Sequence, residues 1–315
     1  MKRSFVTVWR AAVFFLVLAG VAVAQPSTPV RALIVVAHPD DESCFAATVY
    51  EITHNLGGTV DQLVITNGEG GYRYSLLAES FYGVALTDDA VGRAALPEIR
   101  KRELLEAGHI LGIANHFFLD ERDLRYTQDI DEVLGEHWRP GVVLPEVQRR
   151  IAAGHYDFVF TLFPSPETHG GHKAATITAL NAVQTTAARK PVVLGCQAAR
   201  GGTAEPAWKG FQSAQHPFTV LSQVFSTDRT VKFGFKNALD YQIIVNWVIA
   251  AHKSQGAFQN AMNRADREEF VILESGASDE AARTDALFHA LASQAANPHG
   301  VAAAKPAEAE GAGKR

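Results

Sequence analysis

Residues 31–42 read Arg-Ala-Leu-Ile-Val-Val-Ala-His-Pro-Asp-Asp-Glu. The uninterrupted apolar run over 32–37, rich in β-branched residues, predicts a short strand buried on both faces, as in a parallel sheet. His38, Asp40, Asp41 and Glu42 follow it directly. In an open α/β sheet, ligands bind outside the carboxyl ends of the strands, so these side chains emerge where chemistry is usually found. A histidine and two aspartates this close can give one metal an imidazole nitrogen and a carboxylate oxygen and leave the second carboxylate free. A helix N-cap with an acidic first turn accounts for Asp41 and Glu42. It accounts for neither His38 nor the second aspartate.

Outward from this stretch, strand-like and helix-like segments alternate. Helices are predicted over 43–55, 97–111 and 144–153, and from near His172, with Pro97 in a first turn and Gly112 as a stop. Strands are predicted over 60–66, 117–119 and 157–163. Beyond these the pattern is less regular: 192–194, 218–221 and 270–273 read as strands, antiparallel in part, and 237–253 as a long amphipathic helix. The alternation implies an α/β fold, a Rossmann-like, mainly parallel sheet with helices on both faces and the site at the carboxyl ends of the strands. Two long connections, 68–96 and 122–142, are expected to overhang that site, because loops of this size in compact domains tend to be functional.

The chain has 315 residues, 47% apolar and 20% charged, with a formal charge of −5, which describes a globular chain with a sizeable core. With no basic excess, no nucleic-acid partner is expected. Cys44 and Cys196 are too few for a disulfide framework or a Cys-rich zinc site and leave room for one bridge between them. Lys2, Arg3 and Arg10 precede an uncharged run ending in Ala22-Val23-Ala24, the pattern of a secretory signal peptide over 1–24. The run falls short of the roughly 20 apolar residues a membrane span requires. An exported protein, periplasmic or secreted, is therefore expected, with one domain over 28–290 and a disordered, Ala/Gly-rich tail over 297–315.

A second polar cluster, Thr168-His-Gly-Gly-His172, follows the strand predicted over 157–163. His169 and His172 are separated by two glycines that permit a tight turn. The two clusters together offer three ligands from two strand ends, matching a catalytic zinc site with two nitrogens, one oxygen and a position left for water.

With these residues in view, the sequence resembles the PIG-L (LmbE-like) zinc-dependent deacetylases, which remove N-acetyl groups from N-acetylglucosaminyl compounds. The resemblance rests first on AHPDDE at 37–42. It continues through TNGEGGYR at 66–73, RKRE at 100–103 with Leu111-Gly112, FLDERD at 118–123, the His169/His172 pair and AHKSQ at 251–255, about residues 31–255 in all. It implies that His38, Asp41 and His172 hold Zn²⁺, that Asp40 is the general base, and that His169 stabilises an oxyanion or protonates the leaving amine. One departure stands out: where the family commonly has an Asp before the last zinc-binding histidine, this chain has Gly171.

The remaining features carry weaker expectations. Gly68-Glu-Gly-Gly71 is not a dinucleotide loop, since the pattern requires glycine where Arg73 stands. Arg73 or Tyr72 is read either as a contact to a sugar or as a flank of a glycine-rich turn. Arg100 is read as a substrate contact or as half of an exposed Arg–Glu pair, and Asp120 and Asp123 as sugar contacts or strand terminators. His252 is expected to pack the late helix against the sheet, and Cys44 to be a small buried hydrophobe. The expected activity is zinc-dependent hydrolysis of an N-acetylated amino sugar or glycoconjugate outside the cytoplasm. The alternatives are an amidase acting on a larger acyl amide, and a metal-containing carbohydrate-binding protein without turnover.

Overall fold

The computed structural model describes residues 29–186, 189–201 and 208–297. The signal peptide read over 1–24 and nearly all of the tail read over 297–315 lie outside them. β1 (Arg31–Val36) leads through a 3₁₀ turn, Asp41–Phe45, into α1 (Ala46–Tyr50) and a π turn, Glu51–Asn55. β2 (Thr59–Thr66) is followed by a 3₁₀ segment, Glu69–Tyr74, then α2 (Leu76–Tyr82), α3 (Asp89–Leu111) and β3 (Asn115–Glu121). α4 (Ile130–Glu132), a π turn, α5 (Pro140–Gly154), β4 (Phe158–Leu162), α6 (Gly170–Gln184) and β5 (Val192–Ala199) come next. The remainder comprises β6 (Val220–Asp228), the short β7 (Lys232–Phe233) and β8 (Leu239–Asp240), α7 (Tyr241–Ala251), β9 (Arg267–Leu273) and α8 (Glu280–Ala295).

The main sheet runs β3-β2-β1-β4-β5-β9-β6. The first five strands are parallel, and β9 pairs antiparallel with both β5 and β6. From central β1 the chain builds outward to β2 and β3, then crosses to β4 on the other side. The β1/β4 junction is therefore the topological switch point, where open α/β sheets form their ligand crevice. β1 is buried on both faces, as its composition predicts: Ala32, Ile34 and Val36 enter a core with α1, α3, α7 and α8, and Leu33 and Val35 enter the opposite core with α5 and α6. Each buried Leu, Ile or Val among them stabilises the fold by about 1.5–3 kcal/mol.

Several boundaries differ from the sequence reading. α3 begins eight residues before Pro97, because Asp88 caps it by accepting from Val91 N at 3.0 Å, and the helix continues through the proline. The two long connections contain α2, α4 and the first turns of α3 and α5. α8, which the sequence reading did not anticipate, carries the body of the fold past residue 290. Among the described residues no helix is long and apolar enough to cross a membrane.

Candidate metal centre and active site

At the carboxyl end of β1 the chain folds sharply around Asp41. Its Oδ2 accepts from Ala37 N (3.1 Å) and His38 N (2.9 Å), which turns Oδ1 toward α6. Asp40 is held at φ 141°, a conformation L residues rarely adopt and one that costs roughly 1–3 kcal/mol. Surrounding bonds enforce it. Asp40 N donates to Glu42 Oε2 (3.2 Å), Glu42 Oε1 meets His252 Nε2 (2.5 Å), and Gln255 Nε2 donates to Pro39 O (2.8 Å). Ser254 is anchored in turn by Glu103 of α3, which accepts from its N (2.8 Å) and Oγ (2.6 Å).

The second half of the site comes from the turn after β4. His169 caps α6, its Nδ1 accepting from Gly171 N at 3.3 Å. One turn into the helix, His172 has Nδ1 3.0 Å from Thr168 Oγ1, which fixes the ring and points Nε2 at the β1 turn. There His172 Nε2 lies 3.2 Å from His38 Nδ1 and 3.1 Å from Asp41 Oδ1, while His38 Nδ1 lies 3.6 Å from Asp41 Oδ2. Donors bound to one zinc at about 2.0–2.1 Å in tetrahedral geometry stand roughly 3.3 Å apart, so these three groups fit a divalent cation. The three histidines also group, each with a nitrogen within 4.8 Å of the others. The set containing Asp41 is tighter and mixes nitrogen with carboxylate oxygen, so it is the better cation cradle. With a cation in this cradle, Thr168 would be the outer partner that orients His172.

Electrostatics separate the two aspartates. Burial, and then the charge of Asp41, push the Asp40 carboxyl up to about 7. Burial pushes Asp41 up as well, but the charge and hydrogen bond of His172, with His38 in support, outweigh it and hold Asp41 well below the usual carboxylate range. For His38, burial acts downward and is overcome by Asp41, leaving its imidazole at about 9. Burial, then His38 and His172, lower His169 to about 4. A neutral His169 that accepts at Nδ1 carries its proton on Nε2.

A cavity of ≈ 960 Å³ opens over these groups and is lined by His38, Asp40, Asp41, His169 and His172. Arg100 and Asp123 also line it. Arg100 is only 2% exposed and donates to Gly68 O and, at 3.4 Å, to Gly71 O, so it supports the glycine-rich segment from beneath instead of forming an exposed pair with a glutamate. Gly68, at φ 69°, has no room for a side chain beside that guanidinium. Asp123 faces His38 and His169 electrostatically. Arg73, expected as a substrate contact, is instead exposed, its Nε donating to its neighbour Tyr72 Oη at 3.1 Å, and it does not line the cavity. Asp120 pairs with Lys101 on the surface. Both long connections reach the cavity, one through Tyr74 and the other through Tyr126, whose ring lies 5.0 Å from that of His169.

A family model described as GlcNAc-PI de-N-acetylase matches residues 33–183, a span that includes both ends of the ligand cluster. Over these residues, just under half of the chain, the sequence is similar to the PIG-L family. It is accordingly an amide hydrolase of the deacetylase type. A solved structure of the A40926 pseudoaglycone deacetylase Dbv21 is 17% identical, with 80% of this chain and 100% of that chain covered at a TM-score of 0.51, which establishes a shared fold. N,N'-diacetylchitobiose deacetylase from Pyrococcus horikoshii is 16% identical (78% and 84% covered, TM-score 0.46). The 4-carboxy-2-hydroxymuconate hydratase GalB from Pseudomonas putida KT2440 is 15% identical (77% and 95%, TM-score 0.47). No curated protein sequence matches the chain.

The geometry also gives a part in the site to residues that the sequence reading quoted within motifs without assigning them one. Glu42, Glu103 and Gln255 hold the strained turn at Asp40, and Thr168 orients His172. Spacing gives no sign of these contacts, two of which join segments more than 100 positions apart. Ser254 and Gln255 do lie within the AHKSQ stretch at 251–255, which was the available signal.

Proposed function

We propose that the chain is a zinc-dependent N-deacetylase that removes the acetyl group from an N-acetylglucosamine-type sugar or glycoconjugate outside the cytoplasm. The observation that carries this reading is the convergence of His38 Nδ1, His172 Nε2 and the Asp41 carboxylate, with Asp40 beside them in one cavity. Two imidazoles and a carboxylate are a common ligand set of catalytic zinc. A bound zinc supplies Lewis-acid polarisation of the amide carbonyl and a water made acidic near neutrality.

The chain's own groups do the rest. Asp40 accepts a proton as water attacks the carbonyl carbon, and its carboxyl, lifted to about 7, suits a group that must take and return that proton near neutral pH. His169, neutral and protonated at Nε2, donates a hydrogen bond to the carbonyl oxygen as negative charge develops there. When the C–N bond breaks, Asp40 returns its proton to the leaving amine, and acetate and a free amino sugar result. His169 is thus assigned the oxyanion role and Asp40 both proton transfers.

The family description supports the N-acetylglucosaminyl substrate class. The n-region, apolar run and Ala22-Val23-Ala24 site support export. The cavity, at the upper end of small-ligand sites, favours an oligosaccharide or conjugate over a lone monosaccharide. The same room supports a second reading, hydrolysis of a larger acyl amide. Metal analysis together with acetate release from a panel of N-acetylated mono- and oligosaccharides tests the proposal. Acetate release by zinc-loaded protein is expected. Sugar binding without release at full metal occupancy contradicts it, and release of a longer acid from acyl analogues alone selects the second reading.

A further inference from the structure

Cys44 and Cys196 are far apart in sequence, yet their Sγ atoms lie 3.4 Å apart. Cys44 sits in the 3₁₀ turn that begins with Asp41, and Cys196 lies in β5, opposite Leu162 of β4. Both thiols line the active-site cavity, Cys44 partly exposed and Cys196 buried. The Cys44 backbone is fixed by Arg229, whose Nη2 donates to Ser43 O (2.9 Å) and Cys44 O (3.0 Å). Cys196 Sγ also lies 3.5 Å from Cys44 O. Arg229 is itself anchored on Glu268 at 3.0 Å. The two sulfurs are therefore held against each other by ordered backbone, one of them within reach of a solute entering the cavity.

We propose that Cys44 and Cys196 are a disulfide-forming pair on the cavity wall, oxidised by a small-molecule disulfide of the glutathione class. Cys44, the accessible thiol, attacks one sulfur of the oxidant as thiolate. The oxidant's S–S bond breaks, a mixed disulfide forms on Cys44, and one small thiol departs with a proton. Cys196 then attacks Cys44 Sγ, forming the protein S–S bond and releasing the second small thiol. Two electrons pass from the protein to the oxidant, and the two thiol protons end on the two released thiols. Burial raises the Cys196 thiol, so the first attack falls to Cys44, and Cys196 gives up its proton only as it attacks the adjacent mixed disulfide. Closing the bond to about 2.05 Å requires the sulfurs to approach by little more than 1 Å. The product ties the turn that carries Asp41 to β5 across the end of β4.

The test incubates full-length, metal-loaded protein with oxidised glutathione, blocks free thiols with iodoacetamide and maps the unreduced peptides. A single peptide linking residues 44 and 196 in a monomer is expected, lighter by two hydrogens than the separate peptides and opened by dithiothreitol. In Cys196→Ser the reaction should stop at a glutathione adduct on Cys44. Retention of both thiols, glutathione adducts on the wild-type protein that do not resolve, or an intermolecular bridge overturns the proposal. The wild-type map decides the matter even if the variant fails to fold.

Discussion

His252 Nε2 lies 2.5 Å from Glu42 Oε1, and neither side chain is exposed at all. The pair joins the end of α7 to the motif that follows β1, and the other Glu42 oxygen receives Asp40 N (3.2 Å) and Gln62 Nε2 (3.3 Å). Burial alone disfavours a charged His252, but the charge and hydrogen bond of Glu42 reverse the balance and raise it. Replacing His252 with Ala leaves a buried carboxylate without its partner, which costs about 3–5 kcal/mol. Urea unfolding of His252→Ala should show a loss of this size, with turnover reduced because Glu42, the anchor of Asp40 N, loses its own partner. A change within about 0.5 kcal/mol would mean that the pair does not hold the motif.

Gly171 lies where two rings converge. A Cβ there would stand 2.9 Å from His169 Nδ1 and 3.2 Å from His38 Cε1. Gly171→Ala must therefore shift His169, and misplacement of a catalytic group by about 1 Å can cost 10²-fold. We expect kcat to fall by about that factor with a smaller change in KM. Unchanged kcat would remove His169 from the oxyanion role. No carboxylate stands at position 171 to accept from His169; the backbone N–H of Gly171 instead donates to its Nδ1.

Glu51 offers a pH test away from the site. It is 1% exposed, and among the described residues its Oε1 has no partner. Burial, then the charges of Glu268 and Asp228, push its carboxyl from 4.5 up to about 9. Between those values the folded chain holds a proton that the unfolded chain has released, so this group's contribution to stability falls as pH rises and levels off above about 9. Glu51→Gln, neutral throughout, should match the wild type near about pH 4 and exceed it increasingly toward about pH 8. Denaturation midpoints across this range measure the divergence; parallel curves would show that Glu51 titrates normally.

The parts of the molecule legible in the sequence are those with local causes. β1 announced itself because a strand buried on both faces must be continuously apolar, and His38, Asp41, His169 and His172 could be placed because both clusters directly follow strands. The start of α3 is masked in the sequence because Pro97 satisfies a first-turn position equally well, and only the cap at Asp88 shows that the helix is already under way. α8 is hidden among the alanines near the tail, where its apolar positions Leu287, Phe288 and Leu291 are sparse but all buried. Arg73 and Arg100 were indistinguishable by type, and packing separates them: one lies outside in solvent, the other beneath the glycine-rich segment. The Glu42–His252 contact joins positions 210 apart, which no local pattern records.

Turnover by Asp40→Asn at full metal occupancy tests the proposed chemistry most directly. The amide keeps the side chain's size and leaves His38, Asp41 and His172 untouched, so bound metal should match the wild type, while His38→Ala and His172→Ala should lose it. Without a group to take the water's proton and return it to the amine, acetate release by Asp40→Asn should fall by about 10²–10⁴-fold. Wild-type turnover in fully metallated Asp40→Asn would contradict the assignment of Asp40 as the base.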